Sequence, residues 1–312
     1  MQVPFFSARD VEAAVPPEVA YDAVHEAFVA YARGEWTMQP KLYVTNYPAG
    51  DFRAMPALGG GHALLKWVTS FPGNPARGLP TVSGIVVLSD AETGLVVALL
   101  DAGAVTALRT GAAAVLAAET LARRDASTAA VVGVGVNGMA AARSFVARGR
   151  RTVVWDVDAA RADAAAAELG TDVAASREDA LAADLLITVT PGKAILLEEG
   201  SLLPGQHVSL MGADGPGKAE IAVAELARAR VFCDDWEQAS HGGELAAAVS
   251  AGALGRADVG VLGGVLAGAA EGRRSDEEIT VFDSTGLAIQ DLAIARAALA
   301  RADELDLVQL EL

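Results

Sequence analysis

Ala129-Ala-Val-Val-Gly133-Val-Gly135-Val-Asn-Gly138-Met-Ala-Ala-Ala-Arg143, followed by Thr152-Val-Val-Trp-Asp156, is the stretch that decides the fold. An apolar strand runs into a glycine turn, an alanine-rich helix follows, and a second β-branched strand ends on a carboxylate. That succession is the βαβ unit of a dinucleotide site. Gly133 permits the tight turn, Gly135 lets backbone amides approach a pyrophosphate, and Gly138 lets helix and strand pack closely. The free helix N-terminus, starting with Val136 and Asn137, then faces the anion. Asp156 is placed to accept hydrogen bonds from the adenosine ribose, whereas a 2′-phosphate would meet like charge with no adjacent arginine to offset it. NAD is the expected cofactor.

Outward from this unit, strand and helix patterns alternate. Strands are expected at 129–134, 153–156, 185–190, 207–210 and 231–232, with alanine-rich helices between them, which implies a doubly wound parallel sheet. Upstream the pattern differs. A helical stretch between 7 and 33, with Ser7 as a cap, ends at Gly34. Short β-prone runs follow at 41–47, 52–58, 63–71, 82–89 and 95–101, separated by glycine, proline and asparagine turns, an antiparallel sheet by its spacing. A long apolar helix at 105–123 closes the region at Arg123-Arg-Asp-Ala-Ser127. The expected class is α/β, a Rossmann sheet inserted in a discontinuous α+β substrate and dimerisation domain. Its parts are 1–122, an NAD-binding domain at 123–290, and a C-terminal helix at 291–312 returning to the first domain.

The chain of 312 residues is 52% hydrophobic, enough for a large core, yet no run of about 18 uncharged apolar residues occurs. A membrane partner is not expected. The first residues, Met1-Gln-Val-Pro-Phe-Phe6, lack the basic and apolar regions of a signal peptide, so a cytoplasmic protein is expected. The net charge of −16 opposes nucleic acid as a partner. The single cysteine, Cys233, reads as a small buried hydrophobe, and four scattered histidines without metal-ligand spacing argue against a metal site.

Hydride chemistry on an amino or imino acid also needs cations for a carboxylate and a group that moves protons. Lys41 and Arg53 lie on neighbouring strands, Lys66 interrupts the apolar run Ala63-Leu-Leu-Lys66-Trp-Val68, and Arg109 precedes a run of alanines. Lys66 must either snorkel to solvent or meet an anion. Arg109 can grip a carboxylate or pyrophosphate bidentately, or be a solvated helix residue. Asp214, in the loop Met211-Gly-Ala-Asp214-Gly-Pro-Gly-Lys218-Ala-Glu220, sits beside the nicotinamide end in such sheets. It can shuttle a proton or cap a helix starting near Pro216.

Met55-Pro56, Lys66, Phe71-Pro-Gly-Asn74, Gly78-Leu-Pro80, Thr93-Gly94, residues 106–110, the 212–220 loop, Phe282-Asp-Ser-Thr-Gly286 and Asp291 occur in order. In this combination the chain resembles the ornithine cyclodeaminase and μ-crystallin family over nearly its whole length. The resemblance implies that Lys41, Lys66 and Arg109 bind substrate, Thr285 lies beside it, and Asp214 is the general acid/base working with Lys66. It implies cofactor contacts from Thr81, Arg109, Gly133, Gly135, Val136, Asn137, Gly138, Asp156, Thr190, Lys218 and Ser284, and a homodimer formed through the N-terminal sheets.

One departure bears on substrate. Where ornithine cyclodeaminases carry a glutamate two positions before the Met-Pro pair, this chain has Arg53. With Lys41, that is closer to the archaeal alanine dehydrogenase branch. A second cation there would repel a distal amine, at several kcal/mol for charges about 4 Å apart. The leading expectation is therefore an NAD-dependent oxidoreductase acting on a small L-amino acid or its imine. The alternatives are an ornithine or lysine cyclodeaminase that recycles its NAD, and a noncatalytic binding protein like μ-crystallin.

Overall fold

The computed structural model describes residues 2–192, 194–213, 215 and 217–312. The chain divides into two compact units, Met1–Arg109 with Leu287–Leu312, and Thr110–Gly286.

In the first unit, β1 (Gln2–Phe6) leads into α1 (Ala8–Ala14) and α2 (Pro17–Ala32). Ser7 and Asp10 form a reciprocal capping box at the start of α1, and proline begins α2, where its missing N–H costs nothing. Then come β2 (Thr37–Met38), β3 (Leu42–Asn46), β4 (Gly50–Gly59), β5 (His62–Ser70), β6 (Val82–Asp90) and β7 (Val96–Asp101). From β2 to β7 the pairing is antiparallel, as the turn spacing implies. The far edge escapes the sequence reading: β1 pairs parallel with β7, and Val308–Glu311 pairs antiparallel with β1. Those partners are distant in the chain, so no local turn signal announces them.

Strand alternation gives this sheet two unlike faces. Arg53, Met55 and Ala57 on β4, and Leu64, Lys66 and Val68 on β5, are buried, and the helix Ala288–Leu299 packs against both strands and α2. On the other face Leu42, Val44, Leu58, Leu65 and Trp67 are exposed. Lys66 thus stands in an apolar run because one face is core and the other is uncovered hydrophobic surface.

The helix α3 (Ala102–Leu121) begins in the first unit and ends in the second. By length and composition it could cross a bilayer, but 78% of its apolar stretch is buried within the protein, which makes it a core helix. The expected boundary at Arg123 is corrected to Arg109/Thr110, and the later one from 290/291 to Gly286/Leu287. The reason is packing. A Cβ on Gly111 would come within 2.5 Å of the Ala140 backbone, the Ser209 hydroxyl donates to the Ala114 carbonyl at 3.0 Å, and Arg273 and Thr280 hold the Leu121 carbonyl. The composition change at Arg123 marks the end of the helix, not of the unit.

In the second unit β8 (Ala129–Val132), α4 (Val136–Ala147), β9 (Thr152–Trp155) and α5 (Ala159–Leu169) form the βαβ unit read from the glycine pattern. With β10 (Asp172–Val173), β11 (Leu185–Thr188), β12 (His207–Leu210), β13 (Arg230–Cys233), β14 (Val259–Val261) and β15 (Thr280–Asp283) they make an all-parallel sheet. Its order is β10-β9-β8-β11-β12-β15-β13-β14. Chain direction across the sheet reverses between β8 and β11, the switch point where doubly wound sheets open a crevice at their carboxyl ends. Cys233 is fully buried on β13, and burial pushes its thiol up, leaving it unreactive.

Candidate functional site

In the first unit, Lys66 meets an anion rather than snorkelling. Its Nζ lies 2.8 Å from Oδ1 of Asp291 on the C-terminal helix, and both side chains are fully buried. Arg109 approaches the same oxygen through Nε at 3.5 Å and donates to Gln290 Oε1 at 3.4 Å. It is a nearly buried residue, not a solvated helix arginine. A buried and a nearly buried cation therefore share one carboxylate, whose second oxygen has no hydrogen-bond partner among the described residues. Burial, opposed by Asp291 and reinforced by the positive charges of Arg109 and Arg53, pulls the Lys66 pKa down to about 8. An excess of buried positive charge of this kind is stabilised by an anion.

Arg53 has a different environment from the one expected. It is buried, its Nε lies 2.6 Å from Asp51 Oδ1 and its Nη2 3.3 Å from Oδ2, and its guanidinium stands 5.3 Å from the Tyr43 ring centroid. The sequence reading counts it as a second cation; folding pairs it bidentately with a carboxylate two residues away on the same face of β4. Its repulsion of a distal amine is correspondingly reduced. Lys41 precedes β3, half-buried, and Thr81 lies just before β6, where its carbonyl accepts from Phe71 N at 2.8 Å.

In the second unit the glycine turn has the shape its sequence demands. Gly133 has φ +90°, where a Cβ would sit 2.6 Å from the Val189 carbonyl oxygen, and a Cβ on Gly138 would overlap the Gly133 carbonyl. No side chain caps α4 at Gly135, so the amides of its first turn, with Val136 and Asn137, stay available to an anion. Asp156 follows β9 beside this turn; its oxygens accept from Val134 N and Asp158 N, each at 2.9 Å. One expectation is corrected: Arg161, on the first turn of α5, stands 3.4 Å from both Asp156 oxygens. The helix brings close a guanidinium that is five positions away in sequence.

Beyond the carboxyl ends of the other strands lies a set of buried carboxylates. Glu220 accepts from Thr188 Oγ1 at 2.8 Å, Thr190 N at 2.8 Å and Gly212 N at 3.0 Å, tying the exits of β11 and β12 together. Glu244 in turn accepts from Glu220 N at 2.8 and 3.0 Å, and Asp283 from Leu245 N at 2.9 Å. Burial raises all three: Glu244 to about 9, with Glu220 and Asp283 adding to the effect, Asp283 to about 8, and Glu220 in the same direction despite its amide and hydroxyl donors. Asp234 accepts from Thr285 N and Gly286 N, each at 2.8 Å, and from Ser284 Oγ at 3.2 Å, so it shapes the 284–286 turn. Lys218 is half-buried within the 211–220 loop. Asp214 and Pro216 lie outside the described residues, and none of the described residues between Met211 and Ala222 is helical, the next helix being Val223–Arg228.

Asp291, Asp51, Glu220, Glu244 and Asp234 have no assigned role in the sequence reading. For Asp291 a signal exists, a carboxylate inside the mostly apolar helix Ala288–Leu299. Glu220 and Glu244 lie in loop segments among glycine, alanine and aliphatic residues with no periodic pattern to mark them, and only the fold shows them buried.

These features coincide with a known class. The chain belongs to the ornithine cyclodeaminase/mu-crystallin family, whose model matches residues 3–305. It is 42% identical to the alanine dehydrogenase of Archaeoglobus fulgidus over 95% of this chain and 94% of that one. Among solved structures it resembles an archaeal alanine dehydrogenase dimer with bound NAD, with a TM-score of 0.94 and 39% identity, covering 100% of this chain and 99% of the other. It also resembles the iminosuccinate reductase of Paracoccus denitrificans in complex with NAD+, with a TM-score of 0.90 and 29% identity over the whole of both chains.

Proposed function

We propose that this chain is an NAD-dependent oxidoreductase that interconverts a small L-amino acid and its imino acid. The observation that carries this reading is the buried pair of cations, Lys66 and Arg109, sharing the single carboxylate of Asp291. Such a site is incomplete in charge until an anion enters, and the α-carboxylate of an amino acid supplies one that both cations can bind. Lys66 and Arg109 would hold that carboxylate, with Lys41 and Thr285 completing the substrate contacts, while Arg53 stays paired with Asp51.

The second unit fits a dinucleotide on its own geometry: an uncapped helix N-terminus, two glycines that tolerate no side chain, and a carboxylate at the end of the second strand. With the cofactor bound, that turn brings a hydride acceptor or donor to the reaction. Asp156 would orient the adenosine ribose, and Thr81, Thr190, Lys218 and Ser284 would contact the rest of the molecule. Asp214 would take a proton from the water that attacks an acyclic imine and return it in the reductive direction. Glu220, through Gly212 N, anchors the start of the loop that carries Asp214.

A homodimer is the corresponding assembly. Leu42, Val44, Leu58, Leu65 and Trp67 form an exposed apolar sheet face of the kind that marks a protein interface, and the archaeal alanine dehydrogenase is a dimer.

Because Asp51 neutralises Arg53, the charge argument against diamino acids loses most of its force, and the test must read both outcomes. Purified protein is supplied with NAD and a panel of L-amino acids, or NADH and a panel of imines with ammonia, while reduced nicotinamide and ammonia are followed together. The expected result is stoichiometric NADH with ammonia from a small amino acid. Ammonia without net NADH from ornithine or lysine would establish the lyase instead, and silence across both panels would leave a binding protein.

A further inference from the structure

Away from the glycine turn, the second unit has a cleft of about 540 Å³. Arg123, Arg124, Arg150, Arg273 and Arg274 line it against only two carboxylates, Glu119 and Asp276. In a chain where 40 acidic residues outnumber 24 basic ones, this local reversal of sign calls for a cause.

Structural roles account for part of it. Arg150 holds Glu119 at 3.3 Å, Arg123 holds Asp125 at 3.2 Å and Asp184, and Arg274 holds Glu271 at 3.1 Å. Arg273 is not accounted for in this way. Its guanidinium is half-buried and donates to the carbonyls of Leu121 at 2.8 Å, Gln206 at 3.1 Å and Glu278, and to the Thr280 hydroxyl at 2.8 Å. With the Ser275 carbonyl at 3.3 Å these neutral acceptors occupy all its N–H groups, and although the charges of Glu278 and Asp276 act on it, no carboxylate among the described residues stands within ion-pair distance. A charge half withdrawn from water, beside Arg123 and without a paired carboxylate, is a position that the field of a bound anion stabilises. Arg124 beside it is exposed, with no partner among the described residues, and Arg274 is mostly exposed.

We propose that this cleft binds a small polyvalent anion, one carrying two or more phosphate or carboxylate groups. The volume suits a metabolite, since ligand pockets run from about 300 to 1,000 Å³. The exposed planar guanidinium groups of Arg124 and Arg274 suit bidentate recognition of both kinds of anion, while Arg273 contributes charge. The site is distinct from the cofactor turn by the geometry of the sheet. Ala126, Arg150 and Asp276 precede the amino ends of β8, β9 and β15, whereas Gly133, Asp156 and Ser284 follow the carboxyl ends of the same strands. Strands of four residues separate the two by about 13 Å at ~3.3 Å per residue. One anion cannot serve both.

The test is calorimetric titration of the full chain saturated with NAD, at low ionic strength, with pyrophosphate and citrate as probes. Saturable one-to-one binding of at least one probe is expected, weakened about tenfold or more in Arg124→Glu/Arg274→Glu while NAD affinity stays unchanged. Pyrophosphate alone would assign a phosphate-bearing ligand, citrate alone a polycarboxylate. Should the double variant fold poorly, Arg124→Gln, a change at an exposed and unpartnered side chain, gives the same reading with a smaller loss. No saturable binding at millimolar probe, binding indifferent to these substitutions, or binding abolished by NAD would each overturn the proposal.

Discussion

The two units bury charge in opposite ways. In the first, cations are withdrawn from water and answered by a carboxylate: Lys66 and Arg109 on Asp291, Arg53 on Asp51. In the second, the carboxylates at the strand exits are withdrawn and answered by backbone amides and hydroxyls: Glu220 by Thr188, Thr190 and Gly212, Glu244 by Glu220 N, Asp234 by Thr285 and Gly286. The difference suits the work assigned to each. A site for a substrate carboxylate needs unspent positive charge on a rigid sheet, whereas strand exits facing a cofactor need loops held in one shape without a cation that would compete for it. The pH response differs in sign as well. Lys66 has a lowered folded pKa, so its contribution to stability is present above about 10.5 and lost as pH falls through about 8. Glu244 and Asp283 have raised folded values, so theirs is present below about 4 and lost as pH rises through 8 to 9.

The contrast is broken most severely at Asp291. Asp291→Ala leaves two cations buried without a counter-ion and is expected to cost about 3–5 kcal/mol in chemical denaturation. Adding Lys66→Met should restore part of that loss without restoring activity. If Asp291→Ala is as stable as the parent, the buried pair is not the structural element described here.

Gly138→Ala tests the second unit at its tightest point. The new Cβ overlaps the Gly133 carbonyl, so NAD affinity measured by fluorescence titration should fall at least a hundredfold, about 3 kcal/mol. A sheet that absorbed the methyl without loss of binding would place the cofactor elsewhere.

Glu244→Gln sharpens the pH contrast. The amide keeps an acceptor for Glu220 N but has no proton to lose, so the variant should retain roughly 1–3 kcal/mol that the parent loses between pH 5.5 and 8. Parallel stability curves for the two proteins would show that Glu244 does not titrate in that window.

The smallest effect is expected at Arg161. Its pair with Asp156 is half exposed, worth about 0.2–1 kcal/mol. Arg161→Ala should lower the ratio of NADP to NAD use by a few-fold in kcat/KM, because it removes the charge that softens the repulsion of a 2′-phosphate by Asp156. An unchanged ratio would mean that Arg161 does not reach that phosphate.

Much of this architecture is legible from local order. The glycine turn, the parallel sheet, and most strands and helices follow from residue type at short spacing, because turns, caps and alternation are set by neighbours a few positions apart. The edge strand β1 and its partner Val308–Glu311 are not legible, since only distant chain segments pair them. The same limit governs charge. Lys66 in an apolar strand shows by itself that an anion or solvent must meet it, but that the anion is Asp291, 225 positions away, is decided by the packing of the C-terminal helix on the sheet. Arg53 shows the reverse case: as a residue type it is a second cation, and the strand pleat that puts Asp51 on the same face makes it half of a neutral pair. The sequence alone therefore determined the kind of cofactor fold and the residues able to carry charge. Which charges remain unspent was decided only by tertiary structure, because electrostatic interaction depends on distance and burial, and neither is a property of local sequence.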